Sequence, residues 1–225
     1  DPIPSRGLGD VYKRQVSVVI RAKNEEKHIG YCLQSITDYI GKPQIIIVDN
    51  ESTDDTIPIV NRFEYHDVEK ISISKNEYSP GKALNLGVQR CIEEYVIIIS
   101  AHCEIKSFDS KSVQQKLDGD IVGVWGKQIP IWDGKKISRR YMWSNFQDQS
   151  KVNYWCDQED RYFFHNAFSV FKTQHLKDNP FDEKLSGKED RYWANEQIQN
   201  GNKILYDSTI SVHHHYTPNG ATWRA

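Results

Sequence analysis

Four groupings of side chains have the composition of reaction chemistry. Asp49 closes the apolar run 45–48 and precedes Asn50, so an acceptor carboxylate stands where a buried segment meets a loop, placed to take hydrogen bonds from a base or a ribose. The same residue equally serves an Asx turn or cap leading into Ser52. Ser79-Pro80-Gly81-Lys82-Ala83-Leu84-Asn85 puts a glycine and a lysine at a helix start, where a phosphate can be cradled. The GxxxxGK[ST] spacing of a P-loop is absent, and no GxGxxG follows an apolar run. Ser100-Ala101-His102 ends another aliphatic run, and His213-His214-His215 ends a later one. Two imidazoles at one edge would hold a divalent cation that screens a diphosphate leaving group, whereas one buried histidine often serves only as a hydrogen-bonded core residue. Glu-Asp-Arg-Tyr occurs twice, at 159–162 and 189–192. The second copy follows Ser186-Gly187-Lys188 and opens a helical pattern, where the positive dipole end keeps a carboxylate ionised and able to act as a general base. Acidic residues also favour a first helical turn without any catalytic role.

The elements that must position these groups alternate. Residues 16–20 (VSVVI) form a β-branched run, and 25–40 carries Ile29, Cys32, Leu33, Ile36 and Ile40 on one helical stripe. Residues 45–48 make a second strand. Ser52 and Thr53 with Asp55 and Thr56 predict the cap of a helix whose apolar face is Ile57, Val60 and Phe63. A weaker strand at 71–74 precedes a helix at 81–94 with Leu84, Val88, Cys91 and Ile92 inward, then a strand at 95–99. Continuous aliphatic strands alternating with helices predict a mostly parallel sheet wrapped by helices, with ligands at the strands' carboxyl ends. Further strands are expected at 167–171, 204–206 and 210–212, with a helix at 189–200 ended by Gly201.

With 225 residues, 38% hydrophobic and 27% charged, the chain has the size of one domain. A net charge of −2 gives no general attraction to nucleic acid. The apolar runs fall far short of the roughly 18 residues that span a bilayer. Cys32, Cys91, Cys103 and Cys156 lie far apart with no CxxC pair, which argues for a reducing, cytoplasmic compartment. Asp10 to Gln15 reads DVYKRQ, like a translated sequencing-library adapter, so residues 1–15 are treated as a non-native leader. Trp223-Arg224-Ala225 forms no clear terminating element, and a missing C-terminal portion is expected. Residues 1–124 hold 8 aromatic residues and 125–225 hold 18, including all six tryptophans. That shift predicts two functional halves, 16–124 and 125–225, of one domain. Lys135, Lys136, Arg139 and Arg140 among Trp132, Tyr141 and Trp143 could touch a membrane, or form a solvated basic loop.

Together these features resemble the family 2 glycosyltransferases of the GT-A fold over residues 16–223. Residues 16–26, VSVVIRAKNEE, are similar to the family's VSVVIPAYNEE; residues 46–56, IIVDNESTDDT, to VDDGSTDxT; and residues 81–87, GKALNLG, to GxAxNxG. Pro180-Phe181-Asp182-Glu183 and Glu189-Asp190 are similar to its FDE and ED pair, which selects the second EDRY copy. The resemblance implies a single α/β domain with a Rossmann-like sheet flanked by helices, 16–124 being its nucleotide-binding half and 125–225 its acceptor half. It implies transfer of a sugar from a nucleotide-sugar donor to a hydroxyl of a glycan or lipid-linked glycan, in the cytoplasm or at the membrane's inner face. Arg21, Ala22, Asn24, Glu25, Asp49, Lys82, Asn85, Ser100, Ala101 and His102 would border the donor. Asp190 would be the general base of an inverting reaction, and Trp125, Trp132, Trp143, Tyr192 and Trp193 candidates to stack on sugars.

Ser100 and His102 stand where the family's DxD carries its two aspartates, and Asn50 replaces the second Asp of VDD. Ser100-Ala101-His102 is similar in kind to the DxH site of polypeptide N-acetylgalactosaminyltransferases, with His214 or His215 supplying a distant imidazole. Such a site favours manganese over magnesium; alternatively Lys82 and other cations neutralise the leaving group without a metal. A non-catalytic glycan-binding or scaffold relative and a sugar nucleotidyltransferase are the competing classes.

Overall fold

Three aliphatic strands, at 16–22, 44–49 and 95–100, lie side by side because neither of their faces meets water. The computed structural model describes residues 16–63, 67–136, 141–218 and 220. The expected leader, Arg139 and Arg140, and the last five residues fall outside that set. The first strand, β1 (Val16–Ala22), is followed by helix α1 (Ile29–Ile40), β2 (Gln44–Asp49), α2 (Thr56–Asn61), β3 (Val68–Ser72), α3 (Pro80–Arg90) and β4 (Tyr95–Ser100). The chain continues through β5 (Cys103–Ser107), α4 (Ser110–Leu117), β6 (Ile121–Trp132), β7 (Lys135–Lys136) and a 3-10 turn at Tyr141–Asn145. Short strands β8 (Lys151–Val152), β9 (Trp155–Cys156) and β10 (Arg161–Tyr162) precede β11 (Phe168–Lys172), α5 (Thr173–Asp178), α6 (Glu189–Gln199) and β12 (Lys203–His215).

The main sheet has the order β3-β2-β1-β4-β11-β6-β12-β5, with β7 on β6 and β8 on β12. Strands β3, β2, β1 and β4 run parallel, β12 is parallel to β6, and β11 and β5 run against their neighbours. Successive side chains point to opposite faces. Val18, Ile20, Ile45, Ile47, Ile97 and Ile99 therefore pack with Ile29, Leu33 and Ile36 of α1 on one face. Val19, Ile46, Val48, Val96 and Ile98 pack with Ala83, Leu84 and Val88 of α3 on the other. Each such side chain contributes about 1.5–3 kcal/mol by leaving water.

Several boundaries differ from expectation. The helix expected at 81–94 ends at Arg90, where Cys91 turns extended, and Ile92 is 75% exposed instead of inward. The strand expected at 71–74 begins three residues earlier, on the half-exposed sheet edge. Helix α2 takes no side-chain cap from Ser52, Thr53 or Asp55; Asp54 instead accepts from the Thr56 amide and hydroxyl, at 3.0 and 2.5 Å. Residues 204–206 and 210–212 belong to one strand, β12, whose pairing with β6 jumps between Asp207 and Ser211. The division at 124/125 falls inside β6, and β11 of the second half is inserted between β4 and β6. Both halves thus share one sheet.

The second half is built around Trp125, which is buried against Phe146, Tyr154, Phe163, Phe164 and Tyr206, with ring centroids 4.5–6.5 Å apart. Trp193 is buried too, its Nε1 donating to the Asn179 carbonyl. Most of the aromatic enrichment is core. All four cysteines are free and buried, and burial pushes the Cys91 thiol up to about 12.

Candidate active site

Register alone assembles the edge of the site. Pairing of β1 with β2 sets Ala22 beside Asp49, and pairing with β4 sets Arg21 beside Ser100, so three carboxyl-terminal strand ends meet. The loops beyond them bind each other. Asn24, in the left-handed region at φ 52°, accepts from the Thr53 amide through Oδ1 (2.8 Å) while its own amide donates to Ser52 Oγ (2.9 Å). The Glu25 amide donates to Thr56 Oγ1 (2.7 Å), the Glu26 amide to Asp54 Oδ2 (3.1 Å), and the Asp55 amide to Glu26 Oε2 (3.1 Å). Lys23 Nζ donates to the Asn50 and Glu51 carbonyls. Asp49 accepts from both the amide and hydroxyl of Ser52, at 3.0 and 2.5 Å, so the Asx-turn alternative is the geometry found.

The GKALNLG segment serves close packing. A Cβ on Gly87 would lie 2.4 Å from Val19 Cγ1, and one on Gly81 would lie 2.5 Å from the Asp182 carbonyl oxygen. Asn85 donates to the Phe181 carbonyl (2.9 Å) and Glu183 Oε1 (3.0 Å) and accepts from the Phe181 amide (3.0 Å). It thereby ties the loop carrying Phe181-Asp182-Glu183 to α3. The Lys82 amide is capped by Ser79 Oγ (3.1 Å), and its ammonium lies 3.9 Å from Glu77 Oε1. The start of α3 is thus capped by Ser79 and packed against the Asp182 carbonyl.

That tied loop leads to α6, whose first turn holds Glu189 and Asp190, both buried. Arg21 Nη1 pairs with Glu189 Oε1 at 3.1 Å, joining the end of β1 to the start of α6. Asp190 accepts from the Asn166 amide (3.2 Å) and the Arg191 amide (2.8 Å). The helix dipole favours the ionised carboxylate, while burial raises the Asp190 proton affinity above the ordinary aspartate value, with the two amides and Arg191 and Arg21 opposing burial. The first EDRY copy sits in the β9–β10 hairpin, where Asp160 occupies an exposed turn at φ 49°. The repeat in sequence is not a repeat in structure.

Beside this region five side chains form a row. His102 Nδ1 lies 3.1 Å from Glu25 Oε1, and His102 Nε2 lies 3.1 Å from His214 Nε2. His214 Nδ1 lies 2.8 Å from Gln128 Oε1, and Gln128 Nε2 lies 3.0 Å from His165 Nδ1. A carboxylate or amide oxygen accepts, so in this arrangement both Nδ1 atoms donate and the two Nε2 lone pairs face each other. A proton or a cation between them relieves that opposition. Burial, reinforced by His102 and His165, holds His214 well below the usual histidine range and so disfavours the proton. Imidazoles fixed through Nδ1 by oxygen acceptors, with both Nε2 atoms turned to one point, have the form of metal ligands with a supporting shell. Glu25 Oε2 is buried without a hydrogen-bond partner among the described residues, another group a cation would satisfy. The residues present fit a divalent ion.

His215 does not join that pair. Alternation along β12 sends it to the opposite face, where it stacks on His28 at 5.0 Å and reaches Glu104 Oε2 at 3.4 Å. Gln128, His165 and Asn166 were not anticipated: Gln128 lies in the unexpected strand β6, and His165-Asn166 directly precedes an expected strand without a motif to mark it. Among the proposed sugar-stacking residues, Trp125 and Trp193 are core and Trp143 is buried edge-on to His214 (5.6 Å), leaving Trp132 (51% exposed, stacked on Tyr216) and Tyr192 (60% exposed) at the surface.

The sheet order and the strand-end site define the GT-A glycosyltransferase class, and solved structures share the fold. The Staphylococcus aureus TarS structure in complex with UDP-GlcNAc superposes with a TM-score of 0.73 at 20% identity, covering 94% of this chain and 61% of that one. The mannosyltransferase PcManGT from Pyrobaculum calidifontis, in complex with GDP-Man and Mn2+, gives 0.68 at 20% identity, covering 95% and 61%. Residues 17–178 match the family described as Glycosyl transferase family 2, and the chain belongs to that family. It is 26% identical over 187 residues to the O-antigen chain rhamnosyltransferase WbaN of Salmonella anatum, which covers 78% of this chain and 58% of that protein. The chain thus spans about three-fifths of each of these three chains, the TarS one being a fragment, and 33% of full-length TarS.

Proposed function

We propose that this chain transfers a glycosyl unit from a nucleotide-sugar donor to a hydroxyl of a glycan or lipid-linked glycan, with inversion and with Asp190 as general base. The observation that carries the reading is the buried Asp190 carboxylate, of raised proton affinity, held beside the carboxyl ends of β1 and β4 by the Arg21–Glu189 pair. A base works best when its pKa approaches the working pH. Asp190 would take the acceptor proton as the hydroxyl oxygen bonds to the anomeric carbon, while the bond to the diphosphate oxygen breaks on the opposite face. Arg21, Ala22, Ser100 and Ala101 would border the donor. Asn24, Asp49 and Asn85 would act mainly by fixing the loops around it, and Lys82 would stand at its rim.

His102 and His214 would hold a divalent ion, with Glu25 and Gln128 orienting them. Such an ion, when bound, screens the diphosphate charge; two imidazoles favour manganese or a later transition metal over magnesium. Free buried cysteines support action in a reducing, cytoplasmic compartment. Among the described residues no helix is long and apolar enough to cross a membrane. Exposed Lys135 and Lys136 next to Trp132 support peripheral contact with a membrane carrying the acceptor.

The test is nucleotide release from UDP-, GDP-, dTDP- and CMP-sugars with and without manganese. Asp190→Asn is expected to lower turnover about 100- to 10,000-fold while nucleotide binding persists. Near-normal turnover in Asp190→Asn with loss in Asp160→Asn would overturn the choice of base. The replacement of both DxD aspartates favours one second reading, a non-catalytic relative. Absence of calorimetric binding by any nucleoside diphosphate, with or without manganese, would favour it. Family membership displaces the sugar-nucleotidyltransferase expectation.

A further inference from the structure

The outer face of the β5–β12 ladder carries a cluster that the reaction above does not use. Glu104 of β5 is the direct cross-strand partner of His213 on β12, and His215 lies two residues further along the same face. Glu104 Oε2 is 3.4 Å from His215 Nε2 and 4.0 Å from His213 Nδ1. One ligand atom from each of the three lies within 4.8 Å of the others. The second oxygen, Oε1, is taken by Lys106 Nζ at 3.1 Å, which leaves Oε2 turned toward the imidazoles. His215 is held by its stack on His28, with an interplanar angle of 19°. All three ligand residues are half-buried, so an ion would have rigid support on one side and open positions on the other.

We propose that Glu104, His213 and His215 form a second metal site that binds a transition-metal ion of the zinc, cobalt or nickel class. Two imidazoles and one carboxylate suit these ions, whereas magnesium and calcium prefer oxygen ligands throughout. The site is separate from the His102–His214 pair because neighbouring side chains of a strand leave on opposite faces. Its open positions take water or a small anion. An ion there cross-links the edge strand β5 to β12, the strand that also carries His214. Binding to the native chain alone raises its thermal stability in proportion to the logarithm of ion concentration.

Cobalt(II) titration of the full chain, read by visible absorption and by thermal midpoint without donor or acceptor, tests this independently of any transferase activity. The His102→Gln/His214→Gln double variant is expected to keep one saturable cobalt site with the wild-type spectrum of this site. His213→Gln, His215→Gln and Glu104→Gln are each expected to weaken binding at least ten-fold. Lys106→Ala removes the cation that competes for Glu104 and is expected to tighten binding several-fold; because Lys106 is a surface residue, this variant decides the matter should a histidine variant fail to fold. No saturable site in the double variant, unaltered affinity in folded His213→Gln, or unaltered or weaker affinity in Lys106→Ala would overturn the proposal.

Discussion

Asp190 and His165 show burial overruling the ordinary chemistry of a side chain. Helix-start position alone would favour ionised Asp190, but loss of water around the carboxylate raises its proton affinity. The acidic limb of turnover against pH is therefore expected above the ordinary aspartate value of about 3.9. A limb at or below that value would refute Asp190 as the titrating base. Burial drives His165 the other way, down to about 3. Its folded pKa lies below the unfolded value near 6.5, so below that pH the unfolded chain binds the extra proton. Stability is complete above about pH 6.5 and is lost as pH falls from there toward 3, by up to ~1.4 kcal/mol per pH unit. Urea midpoints measured from pH 7 to 5 are expected to fall less steeply in His165→Gln, and equal slopes would refute the assignment.

At the scale of elements, the strands carry positions and the loops carry commitments. The segment 81–87 was legible as a motif, but its residues chiefly allow close approach: Gly87 against Val19, Gly81 against the Asp182 carbonyl. Adding a methyl group at Gly87 is expected to cost about 1–3 kcal/mol through overpacking, measured as a lower urea midpoint with unchanged slope. Asn85→Ala leaves the Phe181 amide and carbonyl without their partner, at about 1–3 kcal/mol. Because that loop leads to α6, the variant is also expected to reduce turnover beyond its effect on stability. Unchanged kcat and stability in Asn85→Ala would show that the tie does not position Asp190.

At the scale of the molecule, the insertion of β11 between β4 and β6 joins residues 16–124 and 125–225 in one sheet. All six tryptophans lie at or beyond position 125, so their fluorescence reports the second half, while far-UV circular dichroism reports the whole chain. The two unfolding curves are expected to coincide; separated midpoints would show two units. Trp125→Ala is expected to cost about 3–5 kcal/mol, because this ring is the centre of the aromatic core and not a sugar platform. Local order in the sequence determined the β/α alternation, the parallel sheet and the strand ends that meet: aliphatic runs and helical stripes are periodic, and periodicity dictates which faces must leave water. It also marked the family, through motifs whose residues are neighbours in the chain. Only the tertiary structure decided that His214 and not His215 faces His102, that Gln128 and His165 extend the row, and that Asp190 and Asp160 occupy unlike environments. Those outcomes depend on strand pairing between residues about a hundred positions apart, and a shift of one residue in that register would exchange the two faces of β12.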